Sequence, residues 1–239
     1  MSAEVPIWAV IPAAGSGSRM QQAKPKQYLE FHGKTIIEHC LDRLLSHDSI
    51  DGAVIALRAD DRSWEALDYR SDKPVFTTDG GVERQHSVYS GLTTLQYRCG
   101  NDAIALVHDA VRPLVSHDDL DRVISVARAH TAGAILATPL NDTLKRQTED
   151  MEIAQTIPRQ GLWRALTPQV FHLQVLLNAL KRVNDECVAV TDDAEAVELA
   201  GYSPALVAGS ADNLKITTPG DMALAELIWS NQRNQQDDK

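Results

Sequence analysis

Ile7-Trp8-Ala9-Val10-Ile11-Pro12-Ala13-Ala14-Gly15-Ser16-Gly17-Ser18-Arg19 is the stretch on which the fold turns. Ile7 to Ile11 is apolar and uncharged, short enough for a buried strand. It runs into Pro12 to Ser18, where no side chain is larger than proline's. Small residues let backbone N–H groups approach a ligand closely, and Gly supplies positive φ where a tight turn needs it. Arg19, Lys24 and Lys26 follow, with no Asp or Glu between Ala13 and Leu29. In a chain of net charge −10 this local excess of cations points to a polyanion, and a triphosphate is the natural candidate.

Three glycine-rich loops compete for this reading. A P-loop needs Gly-x-x-x-x-Gly-Lys-Ser/Thr, which the chain lacks. A dinucleotide fingerprint needs a third Gly where Met20 stands. The third type, Gly-x-Gly-x-Arg followed by Pro-Lys, is the nucleotidyltransferase loop, and Gly15, Gly17, Arg19, Pro25 and Lys26 fit it. Gly-x-Gly alone would also suit an ordinary strand–turn–helix connection. Such a turn does not require Arg19 or Pro25-Lys26-Gln27.

Outside this stretch the composition sets broad limits. The length of 239 residues suits one large α/β domain or one domain with an insertion. The acidic balance argues against general affinity for nucleic acid or anionic membranes. No apolar run reaches the ~20 residues of a membrane span, and no signal peptide opens the chain. Cys40, Cys99 and Cys187 lie far apart and read as free thiols of a reducing cytoplasm.

Along the chain, strand and helix signals alternate, which predicts a parallel sheet with helices on both faces. Lys34 to Ser46 reads as a helix with Ile37, Cys40, Leu41, Leu44 and Leu45 on its inner stripe. Ala53–Leu57 and Val75–Thr77 read as strands around a polar helix near Asp60 to Tyr69. Gly80-Gly81 precedes a helix running to about Tyr97. It is either a flexible turn or a second ligand loop, with free N–H groups for a base or phosphate. Ala103–Val107 is the next strand, and Asp109 at its tip could hold a hydrated Mg²⁺ or a ribose hydroxyl. The alternative is an Asp109–Arg112 pair that merely closes the turn. His108 reads as structural, because a phosphate oxygen nucleophile is already ionised and needs no base.

Ser116 caps a further helix, with Asp119 at the capping-box position, and Gly133–Thr138 is a strand. Asn141 to Ile157 is polar and β-leaning. It predicts a hairpin of about residues 139–160 outside the core, pairing Thr143–Gln147 with Ile153–Ile157 and carrying Arg159 at its base. It either covers the site or reaches another subunit. A helix over Leu173 to Leu180 follows, then a shorter one with Thr191 as N-cap. Pro204–Ala208 and Asn213–Thr217, the latter with Lys215, read as strands. Thr218-Pro219-Gly220-Asp221 opens the last helix, and residues 231–239 read as a disordered tail after a single domain of 1–230.

Taken together, these motifs resemble the 2-C-methyl-D-erythritol 4-phosphate cytidylyltransferase family of the non-mevalonate isoprenoid pathway. The resemblance runs from Ala9 to Gly15 through Pro25-Lys26-Gln27-Tyr28-Leu29, Gly80-Gly81 with Arg84 and Ser87, and Val107-His108-Asp109-Ala110. It continues through Asp142-Thr143, Leu166-Thr167-Pro168-Gln169, Thr191-Asp192 and Ala211-Asp212-Asn213-Leu214-Lys215. It implies a Rossmann-like, mostly parallel sheet with a protruding hairpin that dimerises. The implied reaction joins CTP and methylerythritol phosphate, with Mg²⁺ or another divalent cation such as Mn²⁺, in a cytoplasmic homodimer. CTP would lie on Pro12, Ala13, Ala14, Gly15, Gly80, Gly81, Ser87 and Asp109, with Arg19 and Lys26 as the catalytic cations. Thr191 and Lys215 would hold the acceptor, joined by Thr143 and Arg159 from the partner subunit's hairpin. Ser18, Val82 and Val111 depart from the family's usual residues. The competing readings are a ribitol-phosphate cytidylyltransferase, a sugar-phosphate nucleotidyltransferase, a nicotinamide-binding oxidoreductase and a nucleotide sensor.

Overall fold

A computed structural model describes residues 5–15 and 24–237, with side chains of the last helix as far as Arg233. The strands are β1 (Ile7–Pro12), β2 (Glu30–Phe31), β3 (Lys34–Thr35), β4 (Gly52–Leu57), β5 (Val75–Asp79), β6 (Ile104–Val107), β7 (Ala134–Pro139), β8 (Leu144–Gln147), β9 (Ile153–Ile157), β10 (Trp163–His172) and β11 (Ala205–Ala208). The helices are α1 (Ile36–Leu45), α2 (Arg62–Leu67), α3 (Arg84–Cys99), α4 (His117–Ala129), α5 (Leu173–Asp185), α6 (Asp193–Leu199) and α7 (Pro219–Asp237). A 3₁₀ turn spans Lys26–Tyr28.

Seven strands form the central sheet in the order β11-β7-β10-β6-β1-β4-β5. Neighbouring strands run parallel except β10, which is antiparallel to both β6 and β7. The sheet is therefore the expected mostly parallel α/β type. β1 shows why its sequence has no polar alternation. Ile7, Ala9 and Ile11 pack under α1 and α4, while Trp8 and Val10 pack under α3 and α5. Both faces are dry, so every position is apolar.

β10 is the strand that periodicity does not reveal. It contains Pro168, and its pairing with β7 shifts register between Ala165 and Gln169. Proline has no N–H for a ladder and sits at bulges, so the run does not read as a strand. Conversely, Asn213–Thr217 forms no strand. Its polar groups are used singly: Ile216 N–H donates to Val111 O at 2.9 Å, and Asn213 Nδ2 donates to Thr167 O at 2.7 Å. Lys34 and Thr35 belong to a ribbon with β2, turned by His32 and Gly33 at φ 47° and 78°. α1 consequently starts at Ile36 and not at Lys34.

Two caps and the end of the last helix differ from the sequence reading. Asp192, not Thr191, is the N-cap of α6, accepting from Glu195 N at 2.9 Å. Ser116 does cap α4, but the Asp119 carboxylate pairs with Arg122 and accepts from Ser210 N instead of closing a box. α7 stays helical past Asn231 to Asp237, where the composition reads as a disordered tail. Gln232 anchors that turn through Leu114 O at 3.3 Å. The β8–β9 hairpin forms a separate two-stranded sheet, as its sequence predicts. Among the described residues no helix is long and apolar enough to cross a membrane.

Candidate active site

The chain leaves β1 for β4 on one side and later returns to β6 on the other, so β1 and β6 flank the point where strand order reverses. Open α/β sheets bind ligands beyond the strand ends there. Both candidate loops leave those ends. Ala13 N–H donates to Ala56 O at 2.8 Å, and Gly80 N–H to Leu57 O at 2.6 Å, so each loop is anchored to β4. A Cβ at Gly80 would lie 2.5 Å from Ala14 Cβ and 2.9 Å from Ser87 Oγ. Only glycine allows the two loops to close that tightly. Ser87 Oγ accepts from Gly81 N at 3.1 Å and donates to Glu83 O at 3.3 Å, folding the glycine pair onto the start of α3.

The resulting cleft is lined by Pro12, Ala13, Ala14 and Gly15 on one wall and by Gly81 and Ser87 on another. Lys26, Asp109 and Lys215 close it. Lys26 comes from the 3₁₀ turn, which Gln27 ties to the loop after β1 by donating from Nε2 to Ala13 O at 2.8 Å. Arg19 lies outside the described residues, as do Gly17, Ser18 and Met20. A second cleft shares Arg84, Asp109 and Lys215 with the first and adds Thr167, Gln169 and Thr191. The two clefts meet at Asp109.

Asp109 is buried and ringed by cations. Its Oδ1 lies 3.2 Å from Arg84 Nε, and its Oδ2 lies 3.3 Å from Arg112 Nε and 2.9 Å from Lys215 Nζ. Burial pushes its pKa up, but Arg84, Lys215 and Arg112 outweigh that and hold the carboxyl well below the usual range. The turn-closing Asp109–Arg112 pair therefore exists alongside a carboxylate that faces both clefts. Arg84 also reaches Asp193, with Nη2 at 2.9 Å from Oδ2. That contact lacks hydrogen-bond alignment, so charge holds it.

Behind Asp109 the polar groups close on one another. Asp109 N–H donates to Thr167 Oγ1 at 3.1 Å, and Thr167 Oγ1 bonds His108 Nδ1 at 3.1 Å. His108 Nε2 bonds Arg112 O at 2.9 Å, so Nε2 carries the proton and Nδ1 accepts from the Thr167 hydroxyl. Arg112 Nη1 donates to Asn213 O at 2.7 Å. Burial pushes the His108 pKa down to about 4, which keeps the ring neutral near pH 7. His108 is a satisfied structural residue, in line with the sequence reading that the reaction needs no base there.

Thr191 is exposed at the second cleft, its N–H and hydroxyl both bonded to Glu195 Oε2 at 2.6 and 2.8 Å. Thr143 and Arg159 are exposed on the hairpin and line neither cleft. Arg159 Nη1 donates to Asn141 O. Sequence reasoning gave no role to Arg84, Gln27 or Asn213. The composition of the Lys24–Gln27 stretch hints at Gln27, whereas Arg84 and Asn213 gain their meaning only from spatial neighbours.

Two small-residue loops at a sheet switch point, with a basic turn beside them and an ionised Asp between two clefts, define a nucleotidyltransferase-type site. Comparison with known proteins narrows the class. The family model for 2-C-methyl-D-erythritol 4-phosphate cytidylyltransferase matches residues 7–231, and the chain belongs to that family. The enzyme of that name from Vibrio vulnificus (strain YJ016) is 46% identical over 226 residues, 95% of each chain. The one from Vibrio cholerae serotype O1 is 47% identical, covering 94% of this chain and 97% of its own. A crystal structure of the Francisella tularensis enzyme superposes with a TM-score of 0.80 at 33% identity, over 93% of this chain and 99% of that one. A crystal structure of a 4-diphosphocytidyl-2C-methyl-D-erythritol synthase gives a TM-score of 0.82 at 34% identity, over 95% and 100% of the two chains.

Proposed function

We propose that the chain transfers CMP from CTP to 2-C-methyl-D-erythritol 4-phosphate at the paired clefts, releasing pyrophosphate. The observation that carries this reading is the meeting of the two clefts at Asp109, one walled by small-residue loops and the other by Thr191. Ala14 and Gly81 present backbone to the cytosine, with Ser87 beside it, while Ala13 and Gly80 are bonded to β4 and hold the two loops in place. Pro12 and Gly15 complete that wall, and Asp109 takes the ribose side. An acceptor phosphate oxygen attacks the α-phosphorus in line, and the α–β bridging P–O bond breaks as pyrophosphate leaves. Two anions must be brought together while charge accumulates on the bridging oxygen. Fixed cations and positioning therefore matter more than a base. Lys26 and Arg19 supply the charge at the phosphates, while Lys215 and Thr191 hold the acceptor.

Among the described residues no group of three or more His, Cys, Asp or Glu could hold a metal alone. Mg²⁺ commonly takes one or two carboxylates and completes its shell with substrate phosphates and water, and Asp109 fits that role. Bound there, Mg²⁺ or Mn²⁺ would offset triphosphate charge. The hairpin of a second copy brings Thr143 and Arg159 to the acceptor in a homodimer with shared sites, working in the cytoplasm. Pyrophosphate release from CTP tests the reading, with methylerythritol phosphate, ribitol phosphate and sugar phosphates compared as acceptors. Turnover specific to CTP and methylerythritol phosphate is expected. Equal turnover with UTP or ATP, or none with methylerythritol phosphate, overturns it.

A further inference from the structure

The segment between α5 and α6 forms neither helix nor strand, yet it delivers Thr191 to the second cleft. Its first residues close the end of α5, with Cys187 N–H on Asn184 O and Val188 N–H on Val183 O. Beyond them Thr191 itself bonds Glu195 of α6, and the backbone of Val188 and Val190 just before it is held by a side chain of α3. Gln85, the second residue of α3 and 6% exposed, accepts from Val190 N at 3.0 Å. It donates from Nε2 to Val188 O at 3.0 Å and to Asn184 Oδ1 at 2.9 Å. The amide orientation is fixed by chemistry, because a backbone N–H can only donate and Val190 therefore requires the Gln85 oxygen. One side chain thus bonds both sides of the segment immediately before Thr191. Its chain neighbour Arg84 holds Asp109 and Asp193, so the start of α3 touches the shared carboxylate and both ends of the Thr191 segment.

We propose that Gln85 is a positioning residue for the acceptor, fixing Thr191 through the backbone of Val188 and Val190. The assignment rests on the reading that Thr191 faces the acceptor. A side chain with a donor and an acceptor on one planar group is needed. Glu keeps only the bond to Val190 N, and Met keeps none of the three. Small displacements of positioning groups are costly for a reaction that depends on alignment.

Three variants separate the outcomes, with steady-state kinetics and circular-dichroism melting measured on each. Gln85→Met is expected to raise KM for methylerythritol phosphate about tenfold, the scale of losing the two bonds to the segment's backbone, with KM for CTP within about twofold. Gln85→Glu should fall between wild type and Gln85→Met, because the Val190 bond survives. Thr191→Val is the reference for the acceptor reading. If it leaves the acceptor KM unchanged, that reading fails and the proposal fails with it. If Thr191→Val raises the acceptor KM while a folded Gln85 variant does not, the acceptor reading stands and Gln85 has no positioning role. Equal rises in both KM values with a lowered Tm overturn the proposal in favour of a purely structural role. Hydrogen exchange of the wild-type protein covers the case in which neither Gln85 variant folds. The cytidylyl-alcohol product should slow exchange in 186–192 and 84–86 together, and slowing of 186–192 alone overturns the proposal.

Discussion

The tip of β6 and the β8–β9 hairpin are built on opposite principles. At the tip His108, Asp109, Thr167 and Asn213 are buried, and each bonds others of the group or Arg112. The hairpin is exposed along nearly all of both strands, and its turn and second strand show Met151 and Ile153 at 76% and 67% exposure. A two-stranded ribbon with no face to bury is marginal by itself, so a hairpin of this kind gains from an outside surface. The chain bonds the first region almost wholly from its own residues, with Asn213 Oδ1 left buried without a partner. The second has ladder bonds and little else, which is why the reading of a shared site turns on it.

The contrast breaks most sharply at Asp109. Asp109→Asn leaves the buried Arg112 and the half-buried Arg84 with one fewer anion. Loss of one partner of such a group costs roughly 3–5 kcal/mol in urea unfolding. Pyrophosphate release should fall by ~10²–10³ in the same variant. A stable, active Asp109→Asn protein would show that the ring of cations around Asp109 is incidental.

Arg159→Ala tests the other region. The side chain is exposed and touches its own chain at Asn141 O, so folding stability should change by less than about 0.5 kcal/mol. Activity should nevertheless fall by ~10²–10³ if the charge meets phosphate. Mixing Arg159→Ala with Lys26→Ala under subunit exchange sharpens the point. A shared site puts both lesions in one site of the mixed dimer and leaves the other intact, so activity recovers towards about a quarter of wild type with random pairing. A mixture that stays inactive despite exchange assigns Arg159 to its own chain.

His108 gives the buried region a pH signature. Its folded pKa of about 4 lies below the ordinary histidine value, so the unfolded chain binds the extra proton between pH 6.5 and 4. Stability is therefore full above about pH 6.5 and falls as pH drops, by roughly 3 kcal/mol from this residue. Urea unfolding across that window should show a shallower slope in His108→Asn than in wild type. An unchanged slope would mean that His108 is not held neutral. The smallest effect is expected on the hairpin. Lys145 Nζ bonds Thr156 Oγ1 at 2.6 Å in full exposure, and Lys145→Ala should shift stability by less than about 0.5 kcal/mol.

Sequence by itself determined the class of fold and the first wall of the site. β1 declares burial on both faces through its uninterrupted apolar run, and α1 declares one inner stripe. Small residues and cations near Gly15 are chemically unusual enough to suggest a polyanion ligand without any neighbour. These are local signals, set by period and composition. Tertiary structure decided what depends on partners distant in the chain. β10 joins the sheet despite Pro168, because β6 and β7 flank it and a register shift absorbs the irregular stretch. Asp109 keeps its charge in a buried place because Arg84 and Lys215 arrive from 25 residues before it and from the far end of the chain. Gln85 likewise reads as one more polar residue near a helix start, until folding brings Val188 and Val190 within hydrogen-bonding distance. Hydrogen bonds and ion pairs act over about 3 Å, and only the fold sets which groups come that close.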